Sequence, residues 1–142
     1  MIRAATAQDV PSIADLFFRS MPSPWKTSDI ESVISSPTMT AWVLEENKII
    51  KCAILLQVCM DEAEILSIAT DPSERRKGFA RTLLSYVLRD LGDDVNVFLE
   101  VRAKNQGAIA FYESMRFFVY GMRKGYYKSP PDDAILMKLT NI

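Results

Sequence analysis

Residues 64–102 constrain the fold more than any other part of the chain. Two apolar runs, "EILSIAT" at 64–70 and "VNVFLEV" at 95–101, flank a segment with a different period. Between them Ala80, Leu83, Leu84, Val87, Leu88 and Leu91 recur at helical spacing, the stripe of an amphipathic helix over 79–91. A strand, one crossover helix and a second strand make a βαβ unit, so strands 64–70 and 95–102 should run parallel. The second run is apolar enough to be covered on both faces.

The remaining segments arrange themselves around that unit. Residues 1–5 read as a short strand, and 8–20 as a helix whose stripe is Val10, Ile13, Ala14, Phe17 and Phe18. "MPSPWKTSDIESVISSP" reads as a Pro-broken loop and a second short helix, capped by Ser28 or Thr27. "TAWVLEENKIIKCAILLQVCM" is a hairpin turning around Glu46-Asn47-Lys48, and "DEA" at 61–63 makes the next turn. "NQGAIAFYESM" is a further helix, and "FFVYGMRKGYY" pairs with "DAILMKLT" across the loop "KSPPD". The sum is an α/β or α+β domain, a mixed sheet with helices on both faces. A length of 142 residues suits one domain over 1–142.

Composition narrows the chemistry. The chain has no histidine, so it lacks a Ser/His/Asp triad, a Cys/His pair and any imidazole base. Proton transfer falls to carboxylate, Lys, Tyr, Cys or water. Cys52 and Cys59 are the only thiolates for a metal, so none is expected. Both lie in one extended run, about 23 Å apart and on opposite faces, beyond disulfide reach; they read as buried small hydrophobes in a reducing compartment. Seventeen basic and eighteen acidic residues give a net charge of -1, which disfavours nucleic-acid binding through overall charge. "MIRAATAQDV" lacks an apolar signal core and no run is long enough to span a membrane, so a cytoplasmic location is expected.

One stretch conflicts with its local setting. "DPSERRKGFARTLL" places Arg75, Arg76, Lys77 and Arg81 around Gly78 at the start of the 79–91 helix. Positive side chains there oppose the helix dipole unless an anion neutralises both. Gly78 and Ala80 remove bulk, so backbone amides can approach a ligand closely. The segment also lies at the carboxyl end of a parallel strand, where open α/β sheets bind ligands. The spacing is neither a Walker loop nor GxGxxG, and a plain solvated helix start is the competing reading.

"ERRKGFARTLL" resembles the pyrophosphate-binding motif [RQ]-x-x-G-x-[GA] of the GCN5-related N-acetyltransferases, with Arg75, Gly78 and Ala80 at its defining positions. "EILSIATDPSERRKGFARTLL", "LEVRAKNQGAIAFYESMRF", "RKGYYKSPPDDAILM" and "PWK" are similar to successive segments of the RimI- and Ard1-like group, which acetylates protein N-terminal amines. The resemblance implies a mostly antiparallel twisted sheet around the parallel unit. It implies acetyl-CoA as donor, CoA as product and a protein or peptide N-terminus as acceptor. A small amine or lysine side chain as acceptor, or a non-catalytic acyl-CoA-binding module, are the rival readings.

The resemblance also assigns roles. Arg76, Lys77, Gly78, Phe79, Ala80 and Arg81 match the diphosphate-binding turn, and the backbone of Ile68, Ala69 and Thr70 matches the strand that pairs with the pantetheine arm. Glu100 interrupts an apolar strand on the face shared by Asn96, Phe98 and Arg102. By pattern it is salt-bridged or catalytic; by resemblance it is the general base. Tyr112 shares a helix face with Asn105 and Ala108. By pattern it is a core aromatic behind an Asn105 cap; by resemblance it is the general acid, with Asn105 on the cofactor. Trp25, Tyr126 and Tyr127 match acceptor contacts, although alternation along a strand lets only one of the two tyrosines face the acceptor. Relatives usually carry glycine where this chain has Arg116, so the helix end there is strained or differently built.

Overall fold

The computed structural model describes residues 1–21 and 24–139. Its seven strands are β1 (Ile2–Ala4), β2 (Met39–Glu46), β3 (Ile49–Cys59), β4 (Glu62–Thr70), β5 (Asn96–Arg102), β6 (Phe118–Lys128) and β7 (Pro131–Leu139). They form one sheet in the order β1-β2-β3-β4-β5-β7-β6. Only β4–β5 is parallel; every other neighbouring pair is antiparallel. Four helices, α1 (Val10–Ser20), α2 (Thr27–Ser35), α3 (Phe79–Leu91) and α4 (Gln106–Ser114), cover the two faces. Pro22 and Ser23 of the Pro-broken loop, and Thr140 of the closing strand, lie outside the described residues.

Each helix buries the stripe its spacing sets out. Leu83, Leu84 and Val87 of α3 join Tyr112 of α4 over Ile65, Val97 and Leu99, the core of one face. On the other face α1 and α2 pack on β2, β3 and β4, with Ile13, Phe17, Ile30 and Val33 against Val43, Ala53 and Leu55. In α1 the inward position is Leu16, fully buried, whereas Phe18 of the expected stripe is exposed. A step of 100° per residue turns position 18 away once 13 and 17 point inward. The N-cap of α2 is Lys26, with no side-chain cap bond, so neither Thr27 nor Ser28 caps it. Thr27 already lies within the first turn.

The hairpins are tight. Asn47 and Lys48 both have positive φ (52° and 65°), the two-residue geometry that matches strand twist. The β3–β4 turn falls at Met60-Asp61 rather than at 61–63, because Glu62 already pairs with Cys59 and Ala63 is buried. The β6–β7 loop likewise contracts to Ser129-Pro130, since Lys128 pairs with Pro131. Cys52 is buried as expected and its thiol is pushed up to about 11 by burial. Cys59, at the far end of β3, is exposed instead, because core packing stops before the turn.

Two departures from regular sheet shape the molecule. Leu55 and Leu56 of β3 face Ser67 and Ile65, so Leu66 is an extra residue that bends β4. Past that bulge β4 stays with β3 up to Thr70↔Cys52, while β5 stays with β7 up to Arg102↔Ala134. The parallel ladder therefore runs only from Glu62↔Asn96 to Ile65↔Leu99 and then opens into a fork. In β5, Val97, Leu99 and Val101 are buried but Asn96, Phe98, Glu100 and Arg102 are half-buried, so only one face is fully covered. The described α1–α2 layer packs on β2–β4 and does not extend to seal the second face of β5.

Candidate active site

The fork between β4 and β5 widens into a groove of about 1040 Å³. One wall is β4 from Ile65 to Thr70, whose edge toward β5 has no strand partner after Ile65. Its side chains are occupied elsewhere: Ala69 is buried and the Thr70 hydroxyl donates to Cys52 Sγ at 3.5 Å. The Asp71 N–H bonds Lys51 O, so Ala69 points its main chain to β3 while Ile68 and the Thr70 N–H face the groove; Thr70 O accepts from Ser20 Oγ at 3.2 Å.

At the open end of the groove the 71–78 loop is firmly tethered. Asp71 accepts from the Ser73 N–H (3.0 Å) and hydroxyl (2.8 Å) and pairs with Arg19 of α1 (2.8 Å). Those bonds, Ser73 first, hold its carboxyl down to about 2. Glu74 binds Lys51 (2.8 Å) and Lys77 (2.6 Å), and Arg75 donates to Ser20 O. The backbone is left-handed at Arg76 (φ 70°) and at Gly78 (φ 80°). Gly78 is also the N-cap of α3, and nothing lies within 4 Å of where its Cβ would stand. Its carbonyl accepts the Thr82 N–H, so the amides of Phe79, Ala80 and Arg81 precede the helical ladder and no side chain caps them. A rigid turn with open space over uncapped amides suits an anionic ligand.

The basic residues divide. Arg75, Arg76 and Arg81 line the groove, whereas Lys77 does not and is spent on Glu74. Arg81 ties α3 to α4, donating to Ser114 Oγ at 2.6 Å and lying over the Phe111 ring. Among the described residues nothing engages Arg76, which leaves it the available cation at the mouth.

The opposite wall comes from α4 and β5. Asn105 caps α4 by accepting the Ala108 N–H (3.1 Å), and nothing among the described residues engages its Nδ2. Tyr112, one α4 face along, is buried between Phe111 and Phe117 (5.2 and 5.6 Å). Its phenol has no hydrogen-bond partner among the described residues. Since no fully buried side-chain polar atom there lacks one, its oxygen reaches the groove. Burial, then the neighbouring Cys52, pushes this phenol far above its usual value. It stays protonated and enters any reaction as a donor.

Glu100 completes the wall. Its half-buried carboxylate lies 3.7 Å from Arg123 Nη2, and the Tyr126 phenol is held protonated chiefly by its charge and by a hydrogen bond to it. Tyr127 and Trp25 line the same groove. Of the two tyrosines, Tyr127 lines the groove and Tyr126 does not, lying exposed beside Glu100 and Arg123. The β6 register slips between Arg123 and Tyr127, where Gly125 has a φ of 65° and donates to Asp133 Oδ1. Past the slip both rings lie near Glu100, 5.1 Å apart, with Arg102 stacked on Tyr127 at 4.2 Å. Arg102, Arg123 and Glu64 beside Glu100 were not singled out from the sequence. For Glu64 the signal was available, an acid alternating with Ala63 and Ile65 in a buried run.

A fork in a mixed sheet, unpaired main chain along it and an uncapped helix at its mouth form a groove suited to a long ligand with an anionic end. The Acetyltransferase (GNAT) family model matches residues 10–117. The chain is 32% identical over 142 residues to the [ribosomal protein bS18]-alanine N-acetyltransferase of Escherichia coli strain K12, covering 97% of this chain and 95% of that protein. The crystal structure of the ribosomal-protein-S18-alanine N-acetyltransferase from Escherichia coli superposes with a TM-score of 0.92, at 31% identity over 99% of this chain and 93% of that one. Arabidopsis thaliana NAA60 in complex with acetyl-CoA shares the fold at a TM-score of 0.84 and 17% identity, over 98% and 97% of the two chains. The chain belongs to the acetyltransferase (GNAT) family and is an N-acetyltransferase.

Proposed function

We propose that this enzyme, one catalytic domain over 1–142, acetylates the α-amine of a protein N-terminus. The observation that carries this reading is the Glu100 carboxylate in the groove wall beside the groove-lining Tyr127, with Tyr126 bonded to it from outside, where an extended peptide can end. The Escherichia coli relative is named for an alanine of ribosomal protein bS18, and an N-terminal alanine is the first acceptor to test.

The residues fit the donor. Acetyl-CoA supplies an activated acetyl thioester. The amides of Gly78–Arg81 and the Arg76 guanidinium suit its diphosphate, and the unpaired edge at Ile68–Thr70 suits its pantetheine amides, as an added strand would. The Asn105 Nδ2 adds a donor beside them. Glu100 takes the ammonium proton, directly or through water; an α-amine with a pKa of about 7.7–8.0 asks little of a base near neutrality. Tyr112, held protonated, donates toward the sulfur position and steadies charge as it develops there.

Acetyl-CoA should raise the melting temperature by mass action, and CoA should do so too. An unmoved melting curve at saturating acetyl-CoA removes the donor site. Mass spectrometry of a peptide library then reads the acceptor: modification at N-terminal amines is expected. Modification confined to lysine side chains or free small amines rejects the N-terminal assignment.

A further inference from the structure

A second cavity, about 430 Å³, opens between Gln57, Glu64, Phe98, Glu100, Tyr120 and Arg123. Leu99 and Glu100 belong to its wall and to the wall of the large groove alike, so Glu100 stands where the two meet. Ala63 and Ile65 face the α3–α4 core, which turns Glu64 to the opposite face of the sheet. There Glu64 pairs laterally with Phe98, and Glu100 follows two residues on. Such diagonal neighbours are within reach of two long side chains, or of one bridging water. Among the described residues no hydrogen bond or ion pair holds the Glu64 carboxyl. Burial, and then the Glu100 charge, favour its protonated form, while Arg123 opposes them. The other titratable groups around it are Cys59 on β3, Glu62 on its own strand, and Tyr120 and Tyr126 on β6. Lys138 of β7, opposite Phe98, directs its ammonium over the Tyr120 ring at 5.1 Å.

We propose that Glu64 acts through Glu100 as the second carboxyl of a proton relay that empties through this cavity. The proposal rests on Glu100 being the base of the reaction above. An N–H bond of the acceptor ammonium breaks as an O–H bond forms on Glu100. That bond breaks in turn as one forms on Glu64, and Glu64 releases the proton to water, restoring both carboxylates. Glu64 touches no reacting atom and is a positioning residue.

Glu64→Gln should lower kcat at saturating peptide about tenfold. It should also move the acidic limb of the kcat profile to lower pH, because a carboxyl that titrates late no longer has to ionise. Glu64→Asp, which keeps the acid, should recover part of the rate and of the limb. A loss equal at every pH, or an unmoved limb in an active enzyme, overturns the relay and leaves the acceptor assignment standing. Titration of the carboxyl ¹³C resonances provides a readout independent of turnover. Glu100→Gln should lower the Glu64 midpoint, and an unchanged midpoint overturns the proposal even if no peptide is acetylated.

Discussion

At the scale of single residues, the chemistry turns on groups whose surroundings fix their protonation. Tyr112 is packed between two aromatic rings with its oxygen at the groove, so it can give a proton but is not ionised near neutrality. Tyr112→Phe keeps the ring packing and removes only that oxygen. Turnover should fall by roughly 10²-fold, the lower end of what one positioned proton donor supplies, while the acetyl-CoA Kd stays within about twofold of the parent. Steady-state kinetics with calorimetric titration checks both, and an unchanged kcat removes the donor role. Periodicity placed Tyr112, Asn105 and Glu100 on definite faces, while their proposed roles came from the family resemblance. The sequence did not separate Arg76 from Lys77, since which cation stays available depends on Glu74 reaching both Lys51 and Lys77. That is a tertiary matter.

At the scale of elements, α4 ends in an uncommon way. Arg116 has a φ of 74°, and the Phe117 N–H beyond it returns to Tyr112 O at 3.0 Å. This is the left-handed residue that closes a helix, and an arginine there carries a steric cost of about 1 kcal/mol that glycine avoids. Arg116→Gly should therefore raise stability by about 1 kcal/mol, read as a higher urea midpoint at constant slope. A lower midpoint would show that the arginine side chain supplies more than its backbone costs. The departure from glycine was visible in the sequence and the left-handed geometry follows from it. The strand irregularities at Leu66 and near Gly125 were not visible. The Leu66 bulge lies in "EILSIAT", which contains no glycine or proline to announce it. In β6, Gly125 was present, but its effect on Tyr126 and Tyr127 needed the register with β7.

At the scale of the whole molecule, the parallel unit and its closing hairpin were legible because two periodicities alternate along the chain. The fork was not, since it arises where β4 and β5 each follow a different antiparallel neighbour. Ion pairs tie distant parts of this architecture together. Asp9 receives a two-pronged bond from Arg3 (2.7 and 2.9 Å), which also reaches Glu45 of β2. The Arg3 bonds foremost bring the Asp9 carboxyl down from 3.8 to about 2, and Asp71 is lowered likewise. Both carboxylates contribute stability that is present above their unfolded value near 4. That contribution is lost as pH falls toward 2, where the folded state must take up protons. Urea midpoints should fall steeply between pH 4 and 2 in the parent and less steeply in Asp9→Asn, which starts lower at neutral pH. Parallel curves for the two proteins would contradict this account.

The kinked outer strand has one more effect. β6 borders the sheet with its backbone open on one side and Phe118, Tyr120 and Met122 uncovered. A straight ribbon of that kind invites a second molecule to zip alongside. Two slips in its ladder, together with Arg123, Lys124 and Lys128, spoil the template. Trimming the extra residues to flatten this flank would both scatter the aromatic pair around Glu100 and leave a protein prone to stick to itself.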